Sequence, residues 1–131
     1  MPILICDEKT KLVAAIHAGW KGAYKDIIGR VIEFMIKKGS NPKNITAAIG
    51  PAISIKNYEV KEDFKRKFIK KDKRNIKFFK TMYKKLYFNL PNYVKSCLLK
   101  NKIKKIDSIN IDTFDINNNF FSARRATKLN H

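Results

Sequence analysis

This chain of 131 residues is poor in cysteine and in acidic residues, and it lacks any long apolar run. Its two cysteines, Cys6 and Cys97, are too few for a disulfide framework and are not spaced as a Cys-x-x-Cys metal site. No stretch approaches the roughly 20 apolar residues that a membrane-spanning helix needs, and no leader pattern follows Met1. We therefore expect a soluble, cytoplasmic protein with reduced thiols.

The scarcity of acidic residues makes the chain strongly basic. It has 11 acidic against 29 basic residues, a formal net charge of +18, and the excess is concentrated in residues 61–85. Such an excess is typical of nucleic-acid-binding proteins. Lysine nevertheless outnumbers arginine 24 to 5, and arginine is the residue whose planar fork pairs with phosphate and guanine. We interpret residues 61–85 as a solvated surface, with a nucleic-acid surface as the alternative.

Short apolar runs and amphipathic segments alternate irregularly along the chain, without repeats or a linker. Residues 1–6 and 11–16 predict two buried strands joined by a hairpin turn, with Cys6 opposite Leu12 and His17 opposite Met1. The other predicted elements are a helix over 22–38 ended by Gly39, a strand over 45–49, a helix over 61–71, a strand over 85–90, a helix from 91 and a strand over 106–113. This mixture favours an α/β or α+β fold in a single domain, residues 1–131.

The predicted hairpin leads directly into the sequence His17-Ala18-Gly19-Trp20-Lys21-Gly22. A histidine at the end of a strand has a fixed position and can bind a metal, while neighbouring glycines let a substrate or a second backbone come close. The alternative is a core histidine whose hydrogen bonds are satisfied. In the predicted register Cys6 lies roughly 16 Å from the point opposite His17, too far to share a metal with it. We interpret Cys6 as a small buried residue.

Four motifs, in order and in register, resemble the YfiH/laccase-domain family. They are His17–Gly22, residues 49–53 (Ile-Gly-Pro-Ala-Ile), residues 58–60 (Tyr-Glu-Val) and residues 120–125 (Phe-Phe-Ser-Ala-Arg-Arg). Members of this family are described as multicopper polyphenol oxidases and as purine nucleoside phosphorylases with adenosine deaminase activity. The resemblance implies a layered α/β/β/α sandwich with mixed sheets, and a zinc- or copper-type site made of two histidines and one cysteine.

Only one of those three ligands has a counterpart here, namely His17. In the family the cysteine directly precedes the strand that residues 1–5 match, and the second histidine lies further upstream. The resemblance therefore predicts a chain without the N-terminal part of the domain and with a slightly short C-terminus. The site would be incomplete, with its other ligands on a fuller product or a companion polypeptide. The alternative is a degenerate remnant without activity.

The resemblance also implies small-molecule partners, a purine nucleoside and phosphate, and no membrane partner. Lys21 and Arg124 are the candidate substrate-binding cations, and Trp20 could lie near the purine base. Each has an alternative: Lys21 could be a solvated surface residue, Arg124 could pair with a neighbouring carboxylate, and Trp20 could pack in the core. No catalytic residue is assigned.

Overall fold

In the computed structural model the described part of the chain is residues 1–108, and mixed α and β structure runs through it. The strands are β1 (Pro2–Asp7), β2 (Val13–His17), β3 (Ile45–Ile49), β4 (Glu59–Val60), β5 (Phe79–Met82), β6 (Lys85–Phe88) and β7 (Lys105–Ser108). The helices are α1 (Trp20–Tyr24), α2 (Ile27–Lys37), α3 (Glu62–Lys71) and α4 (Leu90–Lys100). The predicted fold class, helices together with two sheets, is confirmed.

The chain divides into two compact units. The first contains residues 1–51 and 93–108, and the second contains residues 52–92. The expectation of a single domain over residues 1–131 stays a prediction. Among residues 1–108 no helix combines the length and the apolar character that crossing a membrane requires.

The first unit contains a four-stranded sheet in the order β2-β1-β3-β7. The central strand β1 is antiparallel to both of its neighbours, and β3 is parallel to β7. Because of these directions, the start of β1 lies at the same edge of the sheet as the ends of β2, β3 and β7. We call this edge, marked by Pro2, His17, Ile49 and Ser108, the His17 edge.

One face of this sheet supplies the core of the first unit. Almost fully buried side chains on that face and on helices α2 and α4 include Ile3, Ile5, Ile45, Ile49, Ile28, Ile32, Val94 and Leu98. Alternation along β1 accounts for this, since every second side chain of a strand points to the same face.

The register of the β1–β2 hairpin differs by one residue from the predicted register. Pro2 pairs with His17 and Cys6 pairs with Val13, whereas the predicted partners were Met1 and Leu12. Cys6 is also half-buried and not fully buried as expected. His17 therefore lies on the same face of the sheet as Cys6, the face opposite to the buried core.

Asp7 explains the difference in register, because its carboxylate organises the turn. The Oδ1 atom accepts hydrogen bonds from the backbone N–H groups of Lys9 (2.8 Å) and Thr10 (3.1 Å). The Asp7 N–H donates to the Leu12 carbonyl at 2.9 Å, and Lys11 adopts a φ of 64°. The turn therefore includes Leu12, and the second strand begins at Val13, two residues later than the predicted start at residue 11.

The predicted helix over residues 22–38 is in fact two helices, α1 and α2. Asp26 separates them in a left-handed conformation (φ 62°), and its side chain accepts a hydrogen bond from the Gly29 N–H at 3.1 Å. This is an N-cap, which satisfies a free N–H of the first turn of α2. The predicted end of the helix is confirmed, since Gly39 has a φ of 104° directly after the last turn.

The second unit has a three-stranded antiparallel sheet in the order β4-β6-β5. Its aromatic side chains form a cluster. The ring centroids of Phe68 and Phe88 are 4.9 Å apart, those of Phe79 and Phe88 are 5.0 Å apart, and Phe64 stacks on Phe68 at 4.9 Å. The helix over 61–71 is confirmed as α3, whereas β5 was not predicted.

The decline of folding stability at acid pH should depend on Asp7. Burial by itself raises the pKa of this carboxyl, but the N–H groups of Thr10 and Lys9 and the hydroxyls of Ser40 and Thr10 outweigh it, and the net pKa lies below its ordinary value. The ionised form is therefore favoured in the folded state, and its contribution is present above about pH 4 and lost as pH falls through the lower folded pKa. Asp7→Asn should flatten the decline of the melting temperature between about pH 5 and pH 2. Glu8→Gln, an exposed neighbour, is the control, and an unchanged decline in the Asp7→Asn variant would contradict this role.

The aromatic cluster should account for much of the stability of the second unit. Phe88 is 0% exposed, so Phe88→Ala should lower the free energy of unfolding by about 3–5 kcal/mol because it leaves a cavity. Tyr83, 93% exposed, offers the control Tyr83→Ala, which should change it by less than about 0.5 kcal/mol. Chemical denaturation measures both. Equal losses in the two variants would argue against the cluster.

Candidate functional site

His17 is the last residue of β2, and its side chain is exposed. The next residue, Ala18, is fully buried, and its N–H donates a hydrogen bond to the Met1 carbonyl at 2.9 Å. The pairing of β2 with β1 therefore continues through the motif. The backbone holds His17 at a fixed place while its imidazole remains accessible.

Gly19, Trp20 and Lys21 follow His17 and begin helix α1. Gly19 is its N-cap, with ordinary extended dihedrals (φ −88°, ψ −172°), and a Cβ added there would meet no described atom within 4 Å. Trp20 is half-buried, and the Lys21 Nζ lies 5.7 Å from the centroid of its ring. This is within the range of a cation–π contact, so an exposed ammonium group and an indole are held together beside His17 in the chain.

Gly50 brings a second motif of the resemblance to the His17 edge. Its N–H donates to the Pro2 carbonyl at 2.8 Å, and Pro2 is the residue that pairs with His17. A Cβ added at Gly50 would lie 2.5 Å from the Cγ of Pro2, closer than real side chains come. The close approach of these two strands therefore requires glycine at position 50. Two motifs that are 33 residues apart in the sequence meet at one edge of the sheet.

The described residues do not by themselves fit a metal centre. Among residues 1–108 no group of three or more histidine, cysteine, aspartate or glutamate side chains could hold a metal ion. Cys6 pairs with Val13, which is four residues from His17 along β2, a separation of about 13 Å. A metal bound by His17 would need its remaining ligands from beyond these residues, because a catalytic zinc takes three protein ligands.

One of the two candidate substrate-binding cations has no described position. Arg124 and the motif at residues 120–125 lie outside the described residues. The assignments of His17, Lys21 and Arg124 as ligand and substrate cations therefore stay predictions.

A cavity that the sequence did not reveal lies elsewhere in the first unit. Its volume is about 1060 Å³, and its lining includes apolar Ile32 and Ile36 together with cationic Arg30 and Lys43. The lining also includes Ile45 and Lys105, the first residues of β3 and β7. These are the strand ends opposite to the His17 edge, and none of His17, Trp20 and Lys21 lines the cavity.

Similarity to known proteins supports the resemblance. The model of the family described as multi-copper polyphenol oxidoreductase laccase matches residues 1–129. Purine nucleoside phosphorylase RP494 of Rickettsia prowazekii is 35% identical over 128 residues, which cover 96% of this chain and 52% of that protein. Purine nucleoside phosphorylase RC0672 of Rickettsia conorii is 35% identical over 131 residues, 54% of its length.

Solved structures agree in fold. The crystal structure of the Bacillus licheniformis hypothetical protein YfiH superposes with a TM-score of 0.87 at 30% identity, covering 96% of this chain and 49% of that one. The Neisseria meningitidis protein NMB0706 gives a TM-score of 0.83 at 28% identity. The chain spans about half the length of the curated relatives it matches.

The requirement for glycine at the His17 edge can be tested with a matched pair of variants. Gly50→Ala forces a Cβ against Pro2 and should cost about 1–3 kcal/mol of folding stability, as overpacking does. Gly19→Ala adds the same methyl group in open space at ordinary dihedrals, and should be neutral or stabilising by up to about 1 kcal/mol. Denaturant unfolding measures the difference. Equal effects of the two variants would show that the strands do not approach each other as described.

Proposed function

This chain belongs to the family of multi-copper polyphenol oxidoreductase laccases, and from that membership we infer that it acts in the phosphorolysis of purine nucleosides. The observation that carries the proposal is the 35% identity, over nearly the whole chain, to a protein named purine nucleoside phosphorylase. The position of the His17 motif supports it, because an exposed histidine, an indole and an ammonium group follow one another at the sheet edge.

Phosphorolysis sets clear requirements for the residues of the site. An oxygen of phosphate forms a bond to C1′ of the ribose, the bond from C1′ to the purine nitrogen breaks, and the purine leaves with the bonding electrons and takes up a proton. The enzyme must hold the phosphate anion close to a ribose that becomes cation-like, and must orient the purine. Lys21 is suited to hold phosphate because its ammonium group is exposed and anchored on the Trp20 ring. The free space beside Gly19 is suited to admit the nucleoside.

The metal is part of the proposal through His17 alone. The family name points to metal binding, and zinc or copper would both accept an imidazole nitrogen. Since residues 1–108 hold no complete donor set, we propose that the remaining ligands come from a companion or longer polypeptide. Adenosine deamination belongs to the same proposal, because it would use the same nucleoside site.

A cytoplasmic location completes the proposal. Neither Cys6 nor Cys97 forms a disulfide, which suits a reducing compartment. A nucleic-acid-binding function receives less support, because Phe64, Phe68 and Phe79 of the basic segment pack against one another. Tyr83 is the exposed aromatic side chain of that segment.

Turnover should require more than this chain. With inosine, phosphate and zinc, the chain alone should release no hypoxanthine. A chimera that joins it to the portion of the Rickettsia prowazekii relative outside the match should release hypoxanthine in a phosphate-dependent manner. In the chimera His17→Ala should lower kcat/KM by at least about 100-fold and reduce the bound metal. Hypoxanthine release is followed by coupled absorbance and metal by elemental analysis.

Two further variants of the chimera distinguish a loss of phosphate binding from a general effect on the protein. Lys21→Ala should raise the KM for phosphate by about tenfold, because one charge-assisted contact is lost. Lys37→Ala, an exposed lysine in the last turn of α2, is the matched control and should change neither constant. An active chain without the added portion would refute the incomplete donor set but not the phosphorolysis, whereas an inactive chimera that folds would refute the proposed function. The second result would favour a remnant without catalysis.

A further inference from the structure

The four-stranded sheet has a second face, opposite to the core, that is open. On its three antiparallel strands this outer face includes Leu4, Cys6, Val13, Ala15, Thr46 and Ala48, which the register aligns as neighbours across the sheet, and it ends at Pro2 and His17. Leu4 is 50% exposed and Val13 66% exposed, and Ala15 and Ala48 are also exposed. In the described part of the chain no element buries these side chains.

The residue types on the outer face do not suit a surface in water. A sheet with one solvated face carries polar side chains there, whereas strands covered on both faces read as continuous apolar runs. None of the six positions is charged, although 31% of the residues of this chain are charged. Charge returns on β7, at the edge of the sheet, with Lys105 and Asp107. The composition of the three strands is that of a sheet buried on both sides.

The outer face also ends at the functional motif. Val13, Ala15 and His17 alternate along β2 and therefore point to the same side. Whatever covers the outer face comes next to the His17 imidazole. Cys6 lies on the same face, one strand away, so its thiol reports whether the face is covered.

We propose that the outer face is an interface, covered by an apolar surface of a polypeptide equivalent to the portion of the relatives that lies outside the match. The proposal rests on the proposed function in one respect, since the same contact brings donor groups to His17. The occupant follows from length. The relatives carry in one chain about as many residues again as this chain matches, because the match covers 52% and 54% of them.

A second copy of this chain is the competing occupant, and charge argues against it. Each copy has a formal net charge of +18, so a symmetric pair would bring two strongly cationic molecules together. A second copy would also bring the same donor group to this edge, because His17 is the single histidine among residues 1–108. Two copies would therefore supply no ligand type other than imidazole there. A distinct polypeptide avoids both problems.

The test compares one pair of variants in two contexts. Val13→Lys places a charge on the outer face, and Phe34→Lys places one on α2, where Phe34 is 60% exposed. In the chain alone both variants should keep the melting temperature within about 2 °C, because both positions are open. In the chimera described above, Val13→Lys should lower it by roughly 5–10 °C and Phe34→Lys should not. An equal effect of Val13→Lys in both contexts would overturn the proposal.

Alkylation of Cys6 gives a second readout that does not require a destabilised variant. The peptide containing Cys6, followed by mass spectrometry after iodoacetamide treatment, should react at least about tenfold more slowly in the chimera than in the chain alone. When the two polypeptides are produced together as separate chains, the wild type should co-purify with its companion and Val13→Lys should not. Equal reactivity of Cys6, or co-purification that Val13→Lys leaves intact, would contradict the interface.

The outcomes separate this inference from the proposed function. Sedimentation of the chain alone should show a monomer, and a dimer that Val13→Lys dissociates would identify a second copy as the occupant and overturn the proposal. None of these measurements depends on turnover. A protected Cys6 in an inactive chimera would support the interface and refute the function, whereas a reactive Cys6 in an active chimera would refute the interface alone.

Discussion

The position of the first strand between two antiparallel neighbours is the constraint on which the candidate site depends. Two hydrogen bonds at the His17 edge extend this pairing beyond the regular strands: Ala18 N–H to the Met1 carbonyl and Gly50 N–H to the Pro2 carbonyl. They join three segments that are distant in the sequence. The second bond needs a residue without a Cβ, because any side chain at position 50 would meet the Pro2 ring. Strand packing is therefore sufficient to explain the glycine at position 50.

Gly19 presents the opposite case. Its dihedrals suit any residue, and no described atom limits the space around it, so neither conformation nor packing among residues 1–108 explains a glycine there. The nucleoside site proposed above would account for it by requiring open space beside His17. The two glycines of the edge thus separate into one that strand packing requires and one that it does not require.

Local signals in the sequence predicted most of the elements and missed what depends on side-chain hydrogen bonds. The strand over 45–49 and the end of α2 at Gly39 follow from apolar runs and a terminating glycine, and both are confirmed. The break at Asp26 was missed because an N-cap inside an amphipathic stretch looks like a continuous helix until its carboxylate bonds to Gly29. Strand β5 was missed because Phe79 and Met82 are separated by polar residues in a run dominated by lysine, and its pairing with β6 is tertiary.

The one-residue error in the hairpin register had the largest consequence. In the predicted register His17 would share a face with Ile3 and Ile5, the side of the core, whereas in the observed register it shares a face with Leu4 and Cys6. The Asp7 turn favours the observed register, and so does the burial of Ile16 beside Ile3 on the core face. The sequence therefore predicted the residues of the candidate site but not the face of the sheet on which His17 lies, because that face follows from the register.

In the proposed interface, stability and chemistry would be coupled for a physical reason. Covering Leu4 and Val13 would remove apolar surface from water, at roughly 25 cal/mol per Å². The same contact would place donor groups beside an imidazole that β2 already holds in position. A metal bound across the contact would then favour the covered form by mass action, because it binds only when both sides are present. The proposed interface would therefore account for both the apolar strand pattern and the incomplete donor set among residues 1–108.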